Sequence, residues 1–302
     1  MAQENPTDQK ITKNTDGLSR RKFLATGSAG LAGLAAGSAG VQTASASSGS
    51  SASEYEGKVV LITGATSGIG EATAHAFANL GAHVFFCGRR EDLGREVQNS
   101  IREAGGDATY KKTDVREEDQ VKNFVEACMD TYGRIDIAFN NAGIEGPGGS
   151  YPELNLDGEM GYYDVMKTNV DGVYYAMRYE IPVMKEQEEG VIINTGSVLA
   201  TSGSSTYGAY SGSKHAVIGL TRSAASAHAG DGLRILTLSP GGTRTDLLKR
   251  LYGGDLSGAG EGSPMGRIAE PEEIADVVLT LASPRALFVN GDNIKADGAS
   301  RA

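Results

Sequence analysis

From residue 58 onward the chain alternates short, continuous apolar runs with longer amphipathic stretches. The apolar runs are KVVLITG (58–64), HVFFCG (83–88), IDIAFNN (135–141), GVIINTG (190–196) and LRILTLS (233–239), with two more polar strand candidates in ATYKKTD (108–114) and a short NIKAD (293–297). Unbroken apolar runs bounded by turn residues mark strands buried on both faces. Between them the spacing predicts helices near 68–80, 91–104, 117–132, 160–188, 208–228 and 271–282. Strand and helix in alternation imply a parallel sheet covered on both sides, and right-handed crossovers make it doubly wound. The predicted fold is therefore α/β, a Rossmann-like doubly wound parallel sheet of about seven strands flanked by helices, in a single domain. The stretch 246–264, Gly-rich over 253–263, lacks periodicity and reads as a long covering loop.

Upstream the pattern changes. Residues 1–18 are polar, 23–46 are mostly Ala, Gly, Ser and Leu, and 47–56 read as a linker to a domain spanning 57–302. Ser19-Arg20-Arg21-Lys22-Phe23-Leu24 resembles a twin-arginine export signal, with Ala44-Ser45-Ala46 as a cleavage site of small residues. That resemblance implies a signal peptide over 1–46 and a periplasmic or extracellular protein; an ineffective signal would leave it cytoplasmic. Gly, Ser and Thr interrupt 23–46 too often for a stable membrane span.

Charge narrows the partners. Lys and Arg number 28 against 38 Asp and Glu, a formal net charge of -10, which argues against the general basic footprint of nucleic-acid binding. The two cysteines, Cys87 in a strand and Cys128 in a helix, read as buried thiols. No cluster has metal-ligand spacing.

The loop after the first strand, Thr63-Gly64-Ala65-Thr66-Ser67-Gly68-Ile69-Gly70, leads into a helix. Glycines there let a dinucleotide pyrophosphate approach the backbone at a helix N-terminus, where unpaired N–H groups and the dipole favour an anion. The spacing G-x-x-x-G-x-G resembles the loop of the short-chain dehydrogenase/reductase family, and the resemblance extends over residues 57–299. At the end of the second strand Gly88 is followed by Arg89 and Arg90, with no carboxylate to bind ribose hydroxyls. Arg89 suits a 2′-phosphate and predicts NADP, with NAD as the alternative; the competing reading makes both arginines surface charges. The resemblance further implies adenine contacts from Asp114 and Val115. It assigns Asn140-Asn141-Ala142-Gly143 to the sheet edge and cofactor ribose, and the turn Pro240-Gly241 with Thr243 and Thr245 to the nicotinamide and phosphate region.

Tyr210 and Lys214 stand at i, i+4 on a predicted helix, so they share a face. A phenol ionises near pH 10, and a nearby ammonium lowers that value toward one useful for proton exchange. Ser197, at the end of the fifth strand, is placed to hydrogen-bond a reacting oxygen. Asn169 matches the family's fourth catalytic position, to which the resemblance gives a helix kink and a water-linked relay to the lysine. Tyr207 lacks a lysine at i+4 and is left to line the pocket. Two departures stand out: Leu236 takes a position where the family often has Asn, and the terminal DGG reads Asp297-Gly298-Ala299.

The resemblance therefore implies an NAD(P)-dependent oxidoreductase interconverting a secondary alcohol and a ketone. Tyr210 would be general acid/base, Lys214 would tune it and hold the nicotinamide ribose, and Ser197 and Asn169 would assist. FNNAGIEGPGG and YEIPVM resemble the glucose and cyclic-diol dehydrogenases of the family, which implies a sugar, cyclic alcohol or diol as the small-molecule substrate. The alternatives are a 3-oxoacyl reductase and an exported dinucleotide-binding module that senses redox state without turnover. Family analogy implies a homotetramer.

Overall fold

Seven strands form one parallel sheet in the order β3-β2-β1-β4-β5-β6-β7. They are β1 (Val59–Thr63), β2 (His83–Gly88), β3 (Asp107–Lys112), β4 (Ile137–Asn140), β5 (Gly190–Thr195), β6 (Leu233–Pro240) and β7 (Asn293–Ala296). The computed structural model describes residues 54–301; the export signal read over 1–46 lies outside the described residues. Both faces of the sheet are apolar, which is why the strands read as unbroken hydrophobic runs. Val60, Ile62, Val84 and Phe86 pack on one side with Phe77 and Ile274. Val59, Leu61 and Phe85 pack on the other with Phe124, Met177 and Val217. Helices α1 (Gly68–Asn79), α2 (Glu91–Glu103) and α8 (Pro271–Ala282) cover the first face. Helices α3 (Glu118–Tyr132), α5 (Gly172–Gln187) and α6 (Gly208–His228) cover the second.

Strand order reverses between β1 and β4, so their C-terminal ends diverge and leave a crevice. The cleft described below lies at this crevice.

Three segments differ from the sequence reading. The predicted helix 160–188 is a short α4 (Tyr162–Met166), a π turn (Lys167–Asp171) and then α5, which also contains Pro182. The widened turn surrounds Asn169, whose side chain bonds outside its own helix. The loop 246–264 begins with a helix, α7 (Asp246–Leu251), because Thr245 caps it by accepting from Leu248 N at 3.3 Å. Lys249 and Arg250 in its last turn complement the dipole. Tyr55, assigned to the linker, is 3% exposed and meets Phe77 edge-on at 5.0 Å. The packed domain therefore includes it. Cys87 and Cys128 are free and buried.

Candidate active site

The glycine loop owes its shape to contacts that exclude side chains. Gly64 sits at φ +70°, and a Cβ there would stand 2.6 Å from Ala142 Cα. At Gly70 a Cβ would meet Gly64 O at 2.4 Å and Asn141 Nδ2 at 2.6 Å. Asn141 Nδ2 donates to Gly64 O at 3.0 Å, while Asn141 N and Ala142 N both donate to Thr63 Oγ1 at 3.1 Å. The segment after β4 thus holds the loop directly, leaving the N-terminus of α1 facing the crevice. Asn140 turns into the core and donates to Glu180 Oε2 and Asn194 Oδ1, both at 3.0 Å. Burial pushes Glu180 up to about 7 against that hydrogen bond.

The arginine pair divides its work. Arg90 donates to Thr66 Oγ1 at 3.2 Å and also to Ser67 Oγ, fastening the glycine loop to the start of α2. Arg89 lines the crevice and forms no ion pair among the described residues. Asp114 also lines it, but its carboxylate is gripped by Arg116, whose Nε lies 3.0 Å from both oxygens. Burial works to raise the Asp114 carboxyl, and the Arg116 hydrogen bonds outweigh it and hold the group below its usual range.

Ser197 follows β5 and is 7% exposed. Its Oγ accepts from Leu199 N at 3.1 Å, which leaves the hydroxyl proton to donate elsewhere. Its own N–H donates to Ser239 Oγ at 3.1 Å, and Ser239 in turn donates to Asn293 Oδ1 at 2.6 Å. Tyr210 and Lys214 both face the crevice from α6. Lys214 Nζ donates to Thr195 O at 2.7 Å and lies 5.7 Å from the centroid of the Tyr210 ring. Burial drives the lysine down to about 8. Burial also pushes the Tyr210 phenol above its usual value; Ser197 opposes this by hydrogen bonding, and the Glu145 carboxylate adds to it.

Asn169 stands behind the crevice wall. Its Oδ1 accepts from Ile144 N at 2.9 Å, and its Nδ2 donates to Ile144 O at 2.8 Å and to Ser213 Oγ at 3.0 Å. The side chain is fully used in holding the NNAG segment and α6 together. A Cβ on Gly143 would lie 3.3 Å from Asn169 Oδ1 and 3.5 Å from Lys214 Nζ, so the bare glycine lets these groups converge.

On the far side, Gly241 N donates to Ala296 O at 2.9 Å, which ties the Pro240-Gly241 turn to β7. Thr243 Oγ1 donates to Gly241 O at 3.1 Å, and Thr245 Oγ1 to Thr243 O at 3.2 Å. Of the residues singled out from sequence, Gly64, Thr66, Ser67, Gly68, Ile69, Arg89, Asp114, Val115, Asn141, Ala142, Gly143, Ser197, Tyr210, Lys214, Pro240, Gly241, Thr243 and Thr245 line one cleft of about 610 Å³. Gly70 and Asn169 do not line it; they brace its wall from behind. A second groove, about 740 Å³, runs between α1 and α8 and contains none of Ser197, Tyr210 or Lys214. The sequence reading missed Ser213, Ser239, Asn293, Glu145 and Arg250. Ser239, Asn293 and Glu145 lie inside stretches read as strands or motif, but their partners stand across long sequence separations.

The donor set fits a nicotinamide dinucleotide. The close approaches at Gly64 and Gly70 keep the loop backbone bare beside a free helix N-terminus. Thr195 Oγ1 is buried in the cleft wall with no partner among the described residues, and Lys214 keeps ammonium protons beyond the one given to Thr195. Ribose hydroxyls and a carboxamide match these groups.

Known proteins agree with this arrangement. Residues 64–299 match the family described as enoyl-(acyl carrier protein) reductase. Cyclohexanol dehydrogenase of Acinetobacter sp. (strain SE19) is 36% identical over 248 residues, covering 82% of this chain and 96% of the relative. The 2,5-dichloro-2,5-cyclohexadiene-1,4-diol dehydrogenase of Sphingobium indicum is 36% identical over 250 residues, covering 82% and 98%. Among solved structures, a 3-ketoacyl-(acyl-carrier-protein) reductase from Brucella melitensis complexed with NADH superposes with a TM-score of 0.75 at 32% identity, covering 82% of this chain and 100% of that one. The chain belongs to the short-chain dehydrogenase/reductase family, and it is an oxidoreductase that uses a nicotinamide dinucleotide. Among the described residues no group of His, Cys, Asp and Glu is placed to hold a metal ion, and no helix is long and apolar enough to cross a membrane.

Proposed function

We propose that this protein interconverts a cyclic secondary alcohol, sugar or diol with the corresponding ketone, with NADP preferred over NAD. The observation that carries the reading is that Ser197, Tyr210 and Lys214 share a single cleft with the glycine loop. When bound, the nicotinamide supplies the hydride acceptor or donor. The chain's own residues manage the proton. Tyr210 takes the proton from the alcohol oxygen during oxidation and returns it during reduction. Ser197 donates its free hydroxyl proton to the same oxygen and stabilises charge that develops there. Lys214 holds the nicotinamide ribose, and Asn169 keeps α6 and the NNAG segment in register. Gly64, Thr66, Ser67 and Gly68 cradle the pyrophosphate, Arg89 receives the 2′-phosphate, and Thr243 and Thr245 face the carboxamide and phosphate region.

The substrate end of the cleft supports a compact ring. Ile144, Met160, Val198, Leu199, Leu247 and Leu251 give it largely apolar walls. The two relatives named above are dehydrogenases of a cyclohexanol and of a cyclohexadienediol. The 3-oxoacyl reductase alternative is less favoured, and a pure binding module has no use for the Tyr210–Lys214 pair. We also propose a homotetramer, which rests on family analogy alone, and export by the twin-arginine route, which rests on the sequence of residues 1–46 alone.

The test is reduction of NADP and NAD by purified protein across cyclic alcohols, diols and sugars, with Tyr210→Phe as control. Turnover with a cyclic alcohol that falls by about 10²-fold or more in the control supports the reading. Undiminished turnover in the control overturns it.

A further inference from the structure

Two groups of charges that the reading above does not use reach the cleft. In one, Arg250 of α7 pairs with Glu145, Nε to Oε1 at 2.6 Å and Nη2 to Oε2 at 3.0 Å, a clasp between two segments. The other runs through three. Arg116, shortly after β3, bonds Asp114 on one side and Asp164 of α4 on the other. Its Nε lies 3.0 Å from both Asp114 oxygens, its Nη2 donates to Oδ2, and its backbone N–H donates to Oδ1 at 3.1 Å. Two donors therefore meet each oxygen, and an ionised carboxylate offers about four acceptor sites in all. Through Nη1 the same guanidinium reaches Asp164 Oδ1, and Asp164 Oδ2 accepts from Met160 N at 3.1 Å. Met160 holds φ +67°, in the left-handed region that disfavours a side chain, so this bond fixes a turn the backbone does not favour. Met160 lines the cleft and packs with Ile144, Val165 and Ala209, the residue before Tyr210.

A carboxylate at the adenine end of a coenzyme cleft can accept from the amino group of the base. Asp114 lines that end with Arg89 and Val115. Its acceptor sites, however, are taken by charge-assisted bonds that a neutral amino group does not outcompete. The guanidinium that takes them is itself held by a second carboxylate. The three side chains are mostly covered, at 19% exposed for Asp114, 27% for Arg116 and 14% for Asp164. We propose that Arg116 is a positioning residue that withdraws Asp114 from the base of the coenzyme and commits it, through Asp164 and Met160, to the wall against which the substrate lies. The adenine end then recognises its coenzyme through Arg89 and the shape of the cleft, not through the 6-amino group by way of Asp114. The seat of Met160, in turn, depends on a residue that follows β3. The Arg89 cation stabilises both carboxylates as well, so removing Arg116 leaves Asp114 ionised and open.

The link to the substrate wall rests on the proposed function, so the first readout is binding, not turnover. The full chain is titrated by fluorescence with NADPH and with its hypoxanthine counterpart, in which oxygen replaces the 6-amino group of adenine. Arg116→Met opens the Asp114 carboxylate, which accepts from the amino group and repels the oxygen. The preference for adenine should therefore rise about tenfold. Arg116→Met combined with Asp114→Ala should return to the parent preference. Asp164→Ala leaves Arg116 on Asp114 and should not move it. With a cyclic alcohol, Arg116→Met and Asp164→Ala should each raise KM about tenfold with kcat nearly unchanged. Arg116→Lys keeps the charge without the fork and should fall between parent and Arg116→Met in both readouts. A base preference unmoved by Arg116→Met overturns the proposal, as does a rise that survives in the double variant, or a KM unmoved in both single variants. Should Arg116→Met fail to fold, Arg116→Lys must still raise the preference, and no rise there is equally fatal. A parent without turnover on any alcohol counts against the proposed function, and the base preference alone then decides the role of Arg116.

Discussion

The side-chain amide of Asn169 donates to the Ser213 hydroxyl at 3.0 Å, and that hydroxyl donates to the Tyr210 carbonyl at 2.7 Å. The π turn is thereby tied to the turn of α6 that carries Tyr210. Ser213 is completely buried, so no water replaces it. Ser213→Ala leaves an Asn169 proton without an acceptor and should cost about 1–3 kcal/mol of stability in denaturant melts. With the helix turn loosened, kcat should fall about tenfold while KM changes little.

Gly70→Ala places a methyl group against both Gly64 O and Asn141 Nδ2. Neither backbone nor anchored amide gives way cheaply. A destabilisation of about 2–4 kcal/mol is expected, with cofactor affinity lowered in the fraction that still folds. Calorimetry and fluorescence titration with NADPH check both.

Arg89 and Arg90 should separate under mutation. Arg89→Ala removes the unpaired cation that suits a 2′-phosphate, so kcat/KM for NADP should drop about 10–100-fold while NAD is nearly unaffected. Arg90→Ala releases Thr66 and Ser67 and should weaken both coenzymes together. Equal losses for the two coenzymes in Arg89→Ala would remove this residue from the choice between them.

Lys214 yields a pH prediction for the cofactor-free protein. Its folded value of about 8 lies below the ordinary 10.5. Between those values the unfolded chain holds a proton that the folded chain has released, so this residue's contribution to stability rises with pH across that window. Below about pH 8 the ammonium is buried charged, at full cost. The stability difference between Lys214→Met and the parent should therefore shift in favour of the parent by about 2–3 kcal/mol from pH 7.5 to 10.5. Chemical denaturation across that range reads it.

The central strands were legible because they are buried on both faces, so runs such as VVLIT and HVFFCG carry no polar interruption, whereas the edge strands β3 and β7 are mostly half-buried and mixed in polarity. The glycine loop and the Ser197–Tyr210–Lys214 set were legible because each depends on local spacing. The π turn was not: one extra residue in a helical turn leaves composition unchanged, and Lys167–Asp171 reads like any helix. Glu145 and Arg250 were hidden for another reason. They are 105 residues apart, and nothing local distinguishes them from surface charges.

The departure at the terminal DGG motif has a conformational cost. Ala299 adopts φ +65°, in the left-handed region that disfavours a Cβ. Ala299→Gly should relieve it and stabilise the fold by about 0.5–1 kcal/mol, less any gain in unfolded-chain freedom. An unchanged or lowered melting temperature would show that the strain is absorbed elsewhere.

The chain Ser197 N to Ser239 Oγ to Asn293 Oδ1 also sets an order of events during synthesis. The glycine loop is made early, and β1, β2 and β3 can pair while translation continues. The hydroxyl that fixes the backbone of Ser197 finds its own acceptor only once residue 293 has left the ribosome, and the Pro240-Gly241 turn likewise waits for Ala296. A chain that ended at residue 290 would keep the elements that line most of the crevice, yet lack the last brace beneath Ser197. Competence arrives as a late step, after almost all of the polypeptide has been committed to the fold.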